Sequence, residues 1–147
     1  MESVSIVIGG DLGPTRSNFS HFSSGRLSDV IDSQILSLLA SADFRIFNLE
    51  IPLTDEQNPI SKDGPCLSAP TETFKGIVSL KPSLFTLANN HIMDHGDSGF
   101  KDTISILKEN NICFVGAGKN LSEALRPVIL EKNGDRKSTR LNSSHVS

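Results

Sequence analysis

The sequence predicts an α/β fold built mostly from parallel βαβ units. Short apolar runs, rich in β-branched residues, recur along the chain, as they do in strands buried on both faces. Between them lie stretches with apolar residues at helical spacing. Three of the runs also end abruptly in polar side chains able to meet a ligand. In an open α/β sheet, ligands sit just outside the carboxyl ends of the strands.

Taken in order, residues 4–8 read as the first strand, and Gly9-Gly10-Asp11-Leu12-Gly13-Pro14-Thr15 as a turn whose glycines permit close backbone approach. Residues 16–26 read as an irregular polar loop. Val30, Ile31, Ile35, Leu38 and Leu39 predict an amphipathic helix over 29–41, capped by Ser28 or Asp29. Residues 44–47 form the second strand, and a helical connection makes the unit right-handed. The long loop 51–70 carries Pro52, Pro59, Pro65 and Pro70, and loops of that length are often functional. A helix over 71–79 is closed by Pro82. The third strand covers 84–87. Phe100, Ile104 and Leu107 share the next helical face, with Asp97 or Ser98 as its cap. Residues 112–115, 121–125 and 128–130 give a fourth strand, a short helix and a fifth strand.

A chain of 147 residues with 37% hydrophobic and 21% charged content makes one domain with a real core. A net charge of −3 gives no reason to expect nucleic acid or an anionic membrane as partner. No apolar run approaches the roughly 20 residues of a membrane helix, and no signal peptide is visible. The expectation is a cytoplasmic protein with two free thiols, Cys113 buried in its strand. The run from Asp135 to His145 reads like a translated sequencing-library adapter: basic, serine-rich and without periodicity. The expected organisation is therefore a natural domain part over 1–134 and a non-native, disordered tail over 135–147.

The candidate site lies at the strand ends. Asp11 follows the first strand, Asn48-Leu49-Glu50 the second, and Asn89-Asn90-His91 the third. Carboxylate, amide oxygen and imidazole together suit Mn, Mg, Fe or Zn rather than a thiophilic ion. Asp94 and Gly96 read as an Asx turn and a backbone bend, and His95 as an exposed neighbour.

Several motifs in one order resemble the bacterial capsule-synthesis CapA family of poly-γ-glutamate capsule proteins. They are Gly10-Asp11; Asn48-Leu49-Glu50-Ile51-Pro52-Leu53-Thr54; Lys62-Asp63-Gly64-Pro65; Leu87-Ala88-Asn89-Asn90-His91-Ile92-Met93-Asp94-His95-Gly96; and Gly116-Ala117-Gly118-Lys119-Asn120 with Glu123-Ala124 and Pro127. The resemblance implies a metallophosphatase-like layered α/β sandwich, here truncated. It implies Asp11, Glu50 and Asn90 as ligands of one or two divalent ions and His91 as the catalytic acid or substrate contact. Lys62 and Asn89 are the substrate-binding candidates. Two departures stand out: Gly13 occupies the place of the usual metallophosphatase histidine two after Asp11, and the later histidine motifs have no counterpart. The expected function is a metal-dependent, hydrolase-like domain acting on an anionic phosphoester or γ-glutamyl polymer. The alternative is a non-catalytic polymer-binding or assembly component.

Overall fold

The structure, a computed structural model, describes residues 3–132 and the backbone of residues 135–139. Four parallel strands, β1 (Ile6–Leu12), β2 (Phe44–Leu49), β3 (Leu84–Thr86) and β4 (Cys113–Val115), lie side by side in sequence order. The helices joining them are α1 (Phe19–Ser24), α2 (Ser33–Ser41), α3 (Phe74–Ser79) and α4 (Gly96–Glu109). The expected α/β class of parallel βαβ units is the one observed.

Strand order explains where the core sits. Right-handed crossovers that always step the same way place their helices on one face of the sheet. On that face Phe47, Leu49 and Phe85 pack with Leu39 of α2, Ile77 of α3 and Leu107 of α4. The opposite face carries Ile46, Leu84 and Val115, covered by Leu130 of β5 (Val128–Lys132). Cover there is incomplete: Ile6 is 42% and Ile8 72% exposed.

Several local expectations change. β1 runs through the glycines read as a turn and reaches Leu12. Ile8 pairs with Ile46, but Asp11, three residues on, pairs with Asn48, two residues on, so β1 holds a bulge with one extra residue. The bulge decides which way Asp11 points. Strict alternation from Ile6 and Ile8 would put residue 11 on the helix face. The extra residue returns Asp11 to the face of Ile46 and sends Leu12 into the helix-side core with Val7. Gly9 is bare because a Cβ there would lie 2.5 Å from a Phe47 ring carbon.

The polar loop over 16–26 contains α1, whose Phe22 is buried. Gly76 of α3 allows this helix to lie flat on α3, since a Cβ on Gly76 would strike the Phe22 backbone at 2.6 Å. α2 begins later than expected, and Asp32 caps it by accepting from the Gln34 amide at 2.7 Å. α4 begins at Gly96 with His95 at the cap position, ahead of Asp97 and Ser98. Arg45 closes the amino-terminal edge of the sheet, with guanidinium bonds to Leu39 O at 3.1 Å, Ala42 O at 2.6 Å and Lys81 O. A cation suits the carbonyl end of α2. Cys113 is exposed rather than buried, because its position opens β4 on the outer strand of the sheet.

The fifth strand does not join the sheet. β5 pairs antiparallel with β6 (Asp135–Thr139), Lys132 opposite Asp135. Residues 135–139 are thus paired, not disordered as the tail expectation had it. An open strand edge accepts whatever backbone is brought beside it. The rest of the expected tail, residues 140–147, lies outside the described residues.

Lys132 Nζ reaches Asp43 at 2.6 Å, and Asp43 also accepts from the amide and hydroxyl of Ser5. The Lys132 hydrogen bond, then those of Ser5, lower the Asp43 carboxyl to about 2 from the ordinary 3.8. A lowered carboxyl adds stability above its unfolded value and loses it as pH falls through the folded one. Asp43→Asn is therefore expected to lower the melting temperature at pH 6, with the gap from wild type closing between pH 4 and pH 2 in acid melts. Gly9→Ala is expected to cost about 1–3 kcal/mol in chemical denaturation, because Phe47 must move.

Candidate functional site

The carboxyl ends of β1, β2 and β3 are tied together by one chain of polar side chains. Asn48 Oδ1 accepts from the Thr86 hydroxyl at 3.0 Å and from Asn89 Nδ2 at 3.2 Å. That fixes the amide, so Nδ2 faces Asp11 and donates to Oδ1 at 2.7 Å. Asn89 also donates to Leu49 O at 2.9 Å, and its own oxygen receives the amides of His91 (3.0 Å) and Ile92 (2.9 Å). The turn that presents Asn90 and His91 is thereby built on β2.

His91 is oriented from its other side. Its Nδ1 lies 2.7 Å from Asp94 Oδ2, three residues on. Asp94 has no exposed side-chain surface; it also accepts from the Leu67 amide at 2.7 Å and from Lys62 Nζ. Burial pushes the Asp94 carboxyl up, but the hydrogen bonds from Lys62, Leu67 and His91, with the Lys62 charge, outweigh it and hold the group below its usual value. An ionised Asp94 makes Nδ1 the protonated nitrogen of a neutral His91, which leaves Nε2 as the free atom. Lys62 approaches Nδ1 at 3.3 Å, but an ammonium only donates, and its donors go to Asp94 and to Asn90 O at 3.4 Å.

The long loop is held by the same residues. Ile60 N donates to Asp94 O at 2.9 Å, and Asn58 N reaches His95 Nδ1 at 3.2 Å. Leu53 N donates to Thr103 of α4 at 2.9 Å, and a parallel bridge joins Leu53 to Ala69. His95, read as an exposed neighbour, is 3% exposed and clamps the loop instead. A cleft of about 680 Å³ remains between the loop and residues 13–19, with Glu50, Thr54, Arg16 and His95 among its walls.

The expected site residues fall into two groups. Asp11, Asn89 and His91 belong to one connected network. Glu50 follows β2, its amide bonded to Leu12 O at 3.1 Å, and it lines the cleft. The exposed Asn90 side chain makes no hydrogen bond among the described residues. Lys62 and Asn89, expected to contact substrate, are spent inside the protein, on Asp94 and on the His91 turn. Sequence reasoning missed two residues, Asp94 and Asn48. The histidine-to-aspartate spacing of three was the available signal for Asp94. For Asn48 it was an amide at the same strand end as Glu50. Among the described residues no three His, Cys, Asp or Glu side chains converge as a metal cage.

A family model described as bacterial capsule synthesis protein PGA_cap matches residues 5–143. The capsule biosynthesis protein CapA of Bacillus anthracis is 35% identical over 115 residues, covering 76% of this chain and 28% of that protein. The PGA biosynthesis protein CapA of Bacillus subtilis (strain 168) is 30% identical over 106 residues, 71% of this chain and 28% of its own. A probable polyglutamine synthesis accessory protein of Mycobacterium tuberculosis is 30% identical over 97 residues, 66% of this chain and 26% of its own. The chain thus spans little more than a quarter of the length of these relatives. Among the described residues no helix is long and apolar enough to cross a membrane.

The Asp94 cluster yields a stability test. Asp94→Ala strands the Lys62 ammonium and is expected to cost about 3 kcal/mol in denaturant titration. Removing both partners, as Lys62→Met with Asp94→Ala, is expected to cost less than Asp94→Ala alone.

Proposed function

The chain belongs to the bacterial capsule synthesis protein family PGA_cap, whose fold is metallophosphatase-like, and from that membership we propose a hydrolase-like role in capsule polyglutamate synthesis. Its substrate is an anionic polymer or ester, and its site is the carboxyl edge of the sheet. The observation that supports this reading most is the pair formed by His91 and the buried Asp94.

This pair is arranged for proton transfer. Asp94 holds the ring by Nδ1 and stabilises the imidazolium that forms when Nε2 takes a proton. Nε2 then serves as acid toward a leaving group or as base toward a nucleophile. Asn89 fixes the backbone of the same turn, so the imidazole is held from both ends. Such orientation lowers the entropy cost of reaching the reactive arrangement.

The donor set suits a hard divalent ion. Asp11 has one oxygen occupied by Asn48 and one without a protein partner, and neither Glu50 nor the Asn90 amide has a hydrogen-bonded side chain among the described residues. These three would hold Mn, Fe, Zn or Mg, one ion or two, and such an ion supplies Lewis-acid activation. The non-catalytic reading, a polymer-binding or assembly component, draws its support from the lack of a converged His, Cys, Asp and Glu cluster among the described residues.

Mn²⁺ titration separates the two. The hydrolase reading expects Mn²⁺ to raise the melting temperature, with the shift lost in Asp11→Ala and Glu50→Ala. A ligand at a hundredfold its dissociation constant adds about 2.7 kcal/mol to stability. An unchanged melting temperature, with polymer binding intact in His91→Ala, favours the binding component.

A further inference from the structure

The cleft beside Glu50 contains a cation that the protein does not use. Arg16 lines it, is exposed, and makes no hydrogen bond or ion pair among the described residues. The two carboxylates in the same walls leave it unpaired. Asp55 is spent on Thr71, accepting its amide at 3.0 Å and its hydroxyl. Glu50 forms no ion pair among the described residues. In a chain of net charge −3, a guanidinium with no protein partner among the described residues can pair with an anion that enters the cleft.

The cleft is also preformed. Its far wall is the long loop, pinned by Asp94, His95 and Thr103. Phe19 and Ile51 give apolar surface, and Pro14, Pro59 and Pro70 stiffen the rim. A volume of about 680 Å³ is ordinary for a small-ligand site. A guanidinium presents two parallel donors matched to a carboxylate and holds them in a fixed plane. While no ion sits on Glu50, a phosphate monoester, with nearly twice the charge at neutral pH, meets more repulsion in the same cleft.

We propose that this cleft is a carboxylate-reading subsite, with Arg16 as the residue that selects for an acidic side group on a chain-like substrate passing Glu50. The inference rests on the anionic-polymer reading above and assigns it a recognition element. Arg16 touches none of the groups that orient His91, so its role is selection and not proton transfer.

The test uses the full chain and a fluorescently labelled γ-glutamyl oligomer, read by anisotropy. Arg16→Ala is expected to weaken binding about tenfold, roughly what loss of one charge-assisted bidentate contact costs. Arg16→Lys should recover part of the loss, and Arg126→Ala, which removes an exposed cation outside the cleft, should change nothing. Glutarate should displace the oligomer at lower concentration than inorganic phosphate. Failure of the unaltered chain to bind the oligomer overturns the anionic-polymer reading itself. Binding that is indifferent to Arg16, or displaced better by phosphate than by glutarate, overturns the subsite alone. Circular dichroism melts confirm that the variants keep the fold.

Discussion

One buried carboxylate organises this molecule. Asp94 has no exposed side-chain surface and is satisfied by a lysine and a backbone amide from the long loop and by the imidazole of its own turn. A buried charge is costly unless every donor is in place. The three donors are therefore not independent conveniences. Losing one raises the cost of keeping the others, which makes closure of the long loop and orientation of His91 a single event. A loop of that length would otherwise be free to sample many states. Here it becomes a wall.

The fold was legible because its signals are local. Continuous apolar runs alternating with helical spacing announce parallel βαβ units, and polar residues at the ends of those runs announce where a site must sit. The dense Asn-Asn-His stretch pointed to the family on its own terms. What stayed hidden depends on partners far away in sequence. Asp94 looks like an Asx turn, and its amide does make a turn with His91 O, but Lys62 lies 32 positions earlier. His95 looks like a surface histidine until the loop folds over it. Asn48 gives no local sign that its amide will join three strand ends. Gly9 and Gly10 read as a turn, since glycine marks turns and bulges with the same letter.

The two faces of the sheet are used differently. The helix side is a conventional apolar core, and its sequence repeats reveal it. The other side carries Ile46, Leu84 and Val115 in its middle and Asp11, Asn48 and Thr86 at its carboxyl edge. The same side chain alternation that builds a hydrophobic patch thus ends in a polar network, and the change happens within two residues of each strand.

That alternation makes Asp11 hostage to a count. Because β1 carries one residue more than its partner between Ile8 and Asp11, pairing these same residues without the bulge would set Asp11 opposite Leu49 instead of Asn48. The apolar residues before it would stay where they are. The carboxylate would rotate through the sheet into the aromatic layer of Phe47 and Phe85. In any comparison with more distant homologues, the spacing between the first strand and its acidic residue is therefore as informative as the residue itself.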